Sequence, residues 1–83
     1  MLTGLQIRAA RAALGWSATR LAKAAGVAMK TIARLEQVDG LPPSRSWTLL
    51  EVQKAFEGAG IEFIGTPDDG PGIRVRKAQS PRR

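Results

Sequence analysis

Apolar side chains recur with helical spacing through the first sixty positions and then switch to alternation. Ile7, Ala10 and Leu14 stand at i, i+3 and i+7, which places them on one face of a helix. Thr3 and Gln6 open that stretch with the spacing of a capping box, and Gly15 ends it where a left-handed residue is favoured. Ser17 is a good N-cap for a second helix over 18–25, with Leu21, Ala22 and Ala25 facing inward. Gly26 breaks the pattern. A third helix is predicted over 28–38, with Ile32 and Leu35 inward, and Asp39-Gly40 and Pro42-Pro43 close it in a loop. A fourth opens near 44–46 and runs to about 59. Its broad apolar face carries Trp47, Leu49, Leu50, Val52 and Phe56, and Gly58 and Gly60 weaken and stop it.

Beyond Gly60 the segments 61–64 and 73–76 read as short strands. The stretch 65–72 between them is turn chemistry almost throughout, so a hairpin with a long loop is expected. A lone hairpin is marginal in water; this one must lie on the helices or pair with a partner chain. The tail, 77–83, is polar and basic and is expected to be disordered. The chain therefore divides into a helical domain (1–60), a hairpin (61–76) and a basic tail (77–83). The fold class is mainly α, four to five short helices followed by a C-terminal β-hairpin.

Charge changes the picture more than composition does. The 83 residues carry thirteen Lys and Arg against seven Asp and Glu, a formal net charge of +6. The first acidic residue is Glu36, so everything before it is cationic or neutral. Such a surface suits a polyanion, nucleic acid before anionic membrane. There is no cysteine and no histidine. Disulfides and thiolate metal sites are excluded, and the commonest general base and metal ligand are absent. An enzyme is not expected, nor a metal or other cofactor. No apolar run is long enough to span a membrane, and Arg8 and Arg11 interrupt any secretory-signal core; a cytoplasmic protein is expected.

The most informative segment is 18–37. A small residue, Ala22, precedes Gly26 by four positions, and Leu21, Ala25, Val27, Ile32 and Leu35 supply apolar positions around them. Two steeply crossing helices need a small residue where they touch, and the tight turn between them needs glycine. Ile32 and Leu35 then seat the second of the pair on the core and leave its other face free. Here the chain resembles the Cro/phage-repressor (XRE-like) helix-turn-helix proteins, which have the lambda-repressor-like DNA-binding fold. The matching residues are Leu14-Gly15-Trp16-Ser17, Leu21-Ala22, Ala25-Gly26-Val27 and Thr31-Ile32-Ala33-Arg34-Leu35-Glu36.

That resemblance implies a sequence-specific binder of double-stranded DNA, a transcriptional regulator acting as a homodimer on a palindromic operator and able to meet RNA polymerase there. It implies base contacts from Met29, Lys30 and Arg34, and phosphate contacts from Ser17, Thr19, Arg20, Thr31, Ser44, Arg45 and Ser46. The family often has a polar residue where Ala18 stands, so that contact is missing here. Arg11 and Glu36 match a structural ion pair. The dimer surface is expected on Phe56, Ile61, Phe63, Ile64, Ile73 and Val75, whose apolar content exceeds what one small core needs. Trp16 and Trp47 read as core or helix-junction packing rather than base-stacking platforms. Arg74 and Arg76 read as a solvated strand face, and Asp68 and Asp69 as turn carboxylates. The competing reading keeps the fold and drops the DNA: a protein-interaction module of an antitoxin-like or antiactivator kind.

Overall fold

The computed structural model describes residues 2–76, so the tail from Lys77 lies outside the described residues. Four helices are followed by an antiparallel pair of strands: α1 (Gly4–Leu14), α2 (Ala18–Ala25), α3 (Met29–Glu36), α4 (Ser46–Gly58), β1 (Ile61–Thr66) and β2 (Asp69–Val75). The local signals act as expected at the first two helices. The Thr3 hydroxyl accepts from the Gln6 N–H at 3.1 Å, and the Gln6 carboxamide oxygen accepts from the Thr3 N–H at 3.0 Å, which completes the capping box. Ser17 caps α2 by accepting from the Arg20 N–H at 3.0 Å. Gly15 and Gly26 end α1 and α2 with φ of 68° and 71°, a backbone that side-chain-bearing residues seldom adopt.

The core joins all four helices and the first strand. Ile7 and Ala10 of α1, Leu21 of α2, Ile32 and Leu35 of α3, and Leu49, Val52 and Phe56 of α4 are buried together with Ile61. Phe56 is its aromatic centre: Trp16 stacks on it at 5.7 Å between ring centroids, and Phe63 meets it edge-on at 5.9 Å. Such pairs contribute beyond their buried area.

The start of α1 lies against the end of α3. The N–H groups of Gly4 and Leu5 donate to the carbonyls of Gly40 and Asp39, so two donors that a helix start leaves unpaired are used to join the elements. Arg8 answers from the other side. Its guanidinium donates to the Glu36 and Val38 carbonyls and pairs with Asp39. Helix α3 stops at Glu36, two residues before the expected end, and Arg8 takes up the carbonyl of that last residue.

The hairpin differs from the expected long loop. Its strands pair as far as Thr66 and Asp69, leaving only Pro67 and Asp68 at the tip. The glycines that read as loop residues are what let the strands close. Gly65 sits at a register shift with φ 78°, and a Cβ there would stand 2.1 Å from the Gly70 carbonyl oxygen. The hairpin lies on its own helices. Phe63 and Ile73 pack against the core, and the Gln6 carboxamide donates to the carbonyls of Ile64 (3.2 Å) and Gly72 (2.9 Å). One buried side chain thus caps α1 and fastens both strands to it.

Two expectations about exposure are corrected. Phe56 (0 % exposed) and Ile61 (2 %) belong to the monomer core and are removed from the candidate dimer surface. Conversely, Trp47 and Leu50 of α4 are not packed; they are 56 % and 49 % exposed. Helix α4 buries the stripe Thr48, Leu49, Val52 and Phe56, which turns Trp47 and Leu50 outward.

The glycines at the ends of this frame respond oppositely to substitution. A Cβ at Gly4 would lie 1.9 Å from the Val38 carbonyl oxygen, whereas none would be obstructed at Gly58. Gly4→Ala is expected to destabilise by about 1–3 kcal/mol through overpacking, and Gly58→Ala to stabilise by about 0.5–1 kcal/mol through helix propensity and a less flexible unfolded chain. Chemical denaturation of both variants checks the pair.

Candidate nucleic-acid interface

Helix α3 has a sharp division between its faces. Ile32 and Leu35 are buried, with Thr31 and Glu36 half-buried beside them. Met29, Lys30, Ala33, Arg34 and Gln37 are all exposed, a stripe at i, i+1, i+4, i+5 and i+8. The three residues expected to meet bases therefore stand together on one open face. Gln37, just past the helix end, shares that face and was not singled out from the sequence; its spacing of four from Ala33 was the available signal. The N-terminus of α3 has no side-chain cap, and its dipole adds positive potential near Met29 and Lys30.

The helix is held out by contacts at its back and its end. Arg11 lies behind it: Nε and one terminal nitrogen donate to the two Glu36 carboxylate oxygens at 2.7 and 2.9 Å, and the other donates to the Trp16 carbonyl at 3.0 Å. A two-pronged pair of this kind fixes orientation as well as distance. The hydrogen bond with Glu36 raises the Arg11 guanidinium above its ordinary value; burial works against this, and the charge of Glu36 adds to it. Arg11 thus ties α1 to α3 and to the turn that precedes α2.

The phosphate candidates fall on two flanks of α3. On one flank, Ser17, Thr19, Arg20, Lys23 and Ala24 line a shallow depression on the outer face of α2. The Ser17 oxygen is already engaged as the helix cap, which leaves its O–H as the donor for a ligand. Arg20 lies over the Trp16 ring, 5.1 Å from its centroid, so its guanidinium is steadied on one side. Lys23 shares this surface and was missed by sequence reasoning. On the other flank an open groove of about 540 Å³ runs between the α2–α3 turn and the start of α4. Thr31 and Arg34 line it from α3, and Ser44, Arg45 and Trp47 from the far side. Ser46 is exposed at the head of α4.

The pairing of charges separates structural cations from available ones. Among the described residues, Arg8, Arg11, Lys54, Arg74 and Arg76 each pair with a carboxylate. Arg20, Lys23, Lys30, Arg34 and Arg45 do not, and all five lie on α2, on α3 or in the loop entering α4. Arg74 and Arg76 both turn back onto Glu62. Desolvation tends to raise the Glu62 carboxyl, but the hydrogen bond and charge of Arg76, with those of Arg74, outweigh it and hold the group below its usual range. Both arginines are exposed, as the solvated strand face predicts, and in addition share Glu62.

Residues 7–43 match the family model described as helix-turn-helix, which spans most of α1, all of α2 and α3, and most of the following loop. This segment is a Cro/phage-repressor type helix-turn-helix domain. The match supports a DNA-binding regulator of the helix-turn-helix kind. No curated protein sequence matches the chain. Among the described residues, no helix is long and apolar enough to cross a membrane.

Removing one partner of the Arg11–Glu36 pair strands the other in a setting where the side chains are only 27 % and 12 % exposed. Glu36→Ala is expected to destabilise by about 2–4 kcal/mol. Joint replacement, Arg11→Met with Glu36→Leu, is expected to cost clearly less. Thermal melts of the single and double variants read out the difference.

Proposed function

We propose that this protein binds a specific double-stranded DNA sequence as a homodimer and regulates transcription from the site it occupies. The observation that supports this reading is the position of the unpaired cations: every one among the described residues lies on the exposed face of α3 or on its two flanks. A B-form major groove, about 12 Å wide, admits one helix. With α3 inserted, Lys30 and Arg34 reach base edges, both suited to guanine O6 and N7, and Met29 lies against a thymine methyl. Gln37, one turn further on, suits adenine. Ser17, Thr19, Arg20 and Lys23 on one flank, and Thr31, Ser44, Arg45 and Ser46 on the other, set the register on phosphates. The action is binding alone, without bond chemistry, and its setting is the bacterial cytoplasm, where promoter DNA and RNA polymerase are met.

A unit this small reads few base pairs, and a two-fold dimer doubles the contact. Half-sites are then expected about 10 bp apart, or a multiple of that. With Phe56 and Ile61 in the core, the remaining apolar candidates for the dimer surface are Val75, the open edges of Phe63, Ile64 and Ile73, and the outward Leu50 of α4.

Selection of bound sequences from random duplexes is expected to yield a two-fold symmetric consensus. On that consensus, Lys30→Ala combined with Arg34→Ala is expected to weaken binding by about 2–6 kcal/mol, taking about 1–3 kcal/mol for each base contact, while the thermal melt stays near that of the parent. A folded double variant that binds as tightly as the parent refutes the assignment. Lys23→Ala and Arg45→Ala, as phosphate contacts, are each expected to lower the salt slope of binding by about 1 without changing the consensus.

A further inference from the structure

Trp47 stands at the rim of the groove beside α3, in a place the proposed base and phosphate contacts leave unexplained. It is the most exposed aromatic side chain among the described residues, 56 % accessible, although it opens a helix whose other large apolar side chains are mostly buried. An exposed indole carries a standing hydrophobic cost that burial against a partner removes. Its neighbours in the groove lining are Thr31 and Arg34 from α3, and Ser44 and Arg45 from the loop. Neither arginine has a carboxylate partner. The groove therefore combines an apolar plane, two available cations and the hydroxyls of Thr31 and Ser44.

That combination matches a sugar–phosphate strand, in which the deoxyribose offers an apolar face and the phosphate an anion. It matches a second copy of the chain poorly. The molecule carries a net charge of +6, and groove against groove would bring Arg34 and Arg45 onto their own counterparts. The placement also agrees with docking. When a helix lies in the major groove, the two backbones that bound it run along the flanks of the helix. One flank of α3 is the outer face of α2. The other is this groove, and Arg34 belongs both to it and to the base-facing stripe.

The geometry points to Trp47 as a DNA-contact residue, its indole packing on a deoxyribose of the backbone strand that Ser44 and Arg45 hold by its phosphates. This rests on the DNA-binding reading of α3. Trp47 is uncharged, so it adds affinity without releasing counterions. It supplies the contact made by packing where Arg45 supplies the contact made by charge.

The test uses the full chain and the duplex recovered by selection. Trp47→Ala is expected to weaken binding about tenfold, roughly the effect of 1.4 kcal/mol, with the slope of log affinity against log salt unchanged. Trp47→Phe is expected to recover most of the loss. In a Trp16→Phe background, Trp47 is the sole fluorophore, and duplex is expected to shield it from acrylamide while raising the protein concentration alone does not. An affinity of Trp47→Ala equal to the parent's, or an indole equally quenched in the complex, overturns the inference. Shielding that grows with protein concentration in the absence of DNA also overturns it and assigns the face to a second copy. Binding that depends on Lys30 and Arg34 while Trp47 stays unshielded sinks this inference alone. A parent that binds no duplex sinks both readings.

Discussion

The presented helix depends on the fork that Arg11 makes with Glu36 and the Trp16 carbonyl. Helix α3 is only eight residues long, too short to persist alone in water, and half of its surface is given over to solvent. Its position must be imposed from behind. Ile32 and Leu35 supply the apolar anchor, but apolar contact is non-directional and leaves the helix free to roll. The two-pronged Arg11–Glu36 pair fixes the roll, because a planar guanidinium engages both carboxylate oxygens in one orientation only. The same guanidinium holds the carbonyl of Trp16, whose ring rests on Phe56 and carries Arg20. A single arginine on α1 therefore links the exposed helix α3, the aromatic centre of the core and the outer face of α2.

The distribution of charge follows from that framework. A surplus of cations would be expected to spread over the surface by self-repulsion. Among the described residues, carboxylates pair with the cations of α1, the middle of α4 and the hairpin: Asp39 takes Arg8, Glu36 takes Arg11, Glu51 takes Lys54, and Glu62 is shared by Arg74 and Arg76. The field left over is concentrated on one side. A basic chain attracts a polyanion from any direction; unpaired cations gathered around α3 favour approach from that side.

Helix α4 and the hairpin complete the core and also set its limits. Because α4 turns Leu49, Val52 and Phe56 inward, Trp47 at its first turn must face out, beside the end of the loop that follows α3. The hairpin covers the remaining apolar edge and is fastened by Gln6, whose carboxamide spans both strands. Satisfying that buried side chain completely makes it a fixed joint rather than a liability. Phe56 and Ile61 are thereby used internally, while Trp47, Leu50 and Val75 stay exposed.

Much of this was legible along the chain. The helix starts at Thr3 and Ser17, the stops at Gly15 and Gly26, the inward pair Ile32 and Leu35, and the outward Met29, Lys30 and Arg34 follow from hydrogen bonds and periodicities that act within a few residues. The change to strands after Gly60 was legible for the same reason. Tertiary structure decided what depends on distant neighbours. Which cations are paired, that Arg8 joins the end of α3 and that Gln6 fastens the hairpin were open until the elements were packed; that Phe56 and Ile61 are core and Trp47 is exposed reversed what the sequence suggested. An apolar residue on an amphipathic helix can point to the core or to solvent within a small rotation. Only the contacts that set that rotation, made by residues far away in the chain, determine which it does.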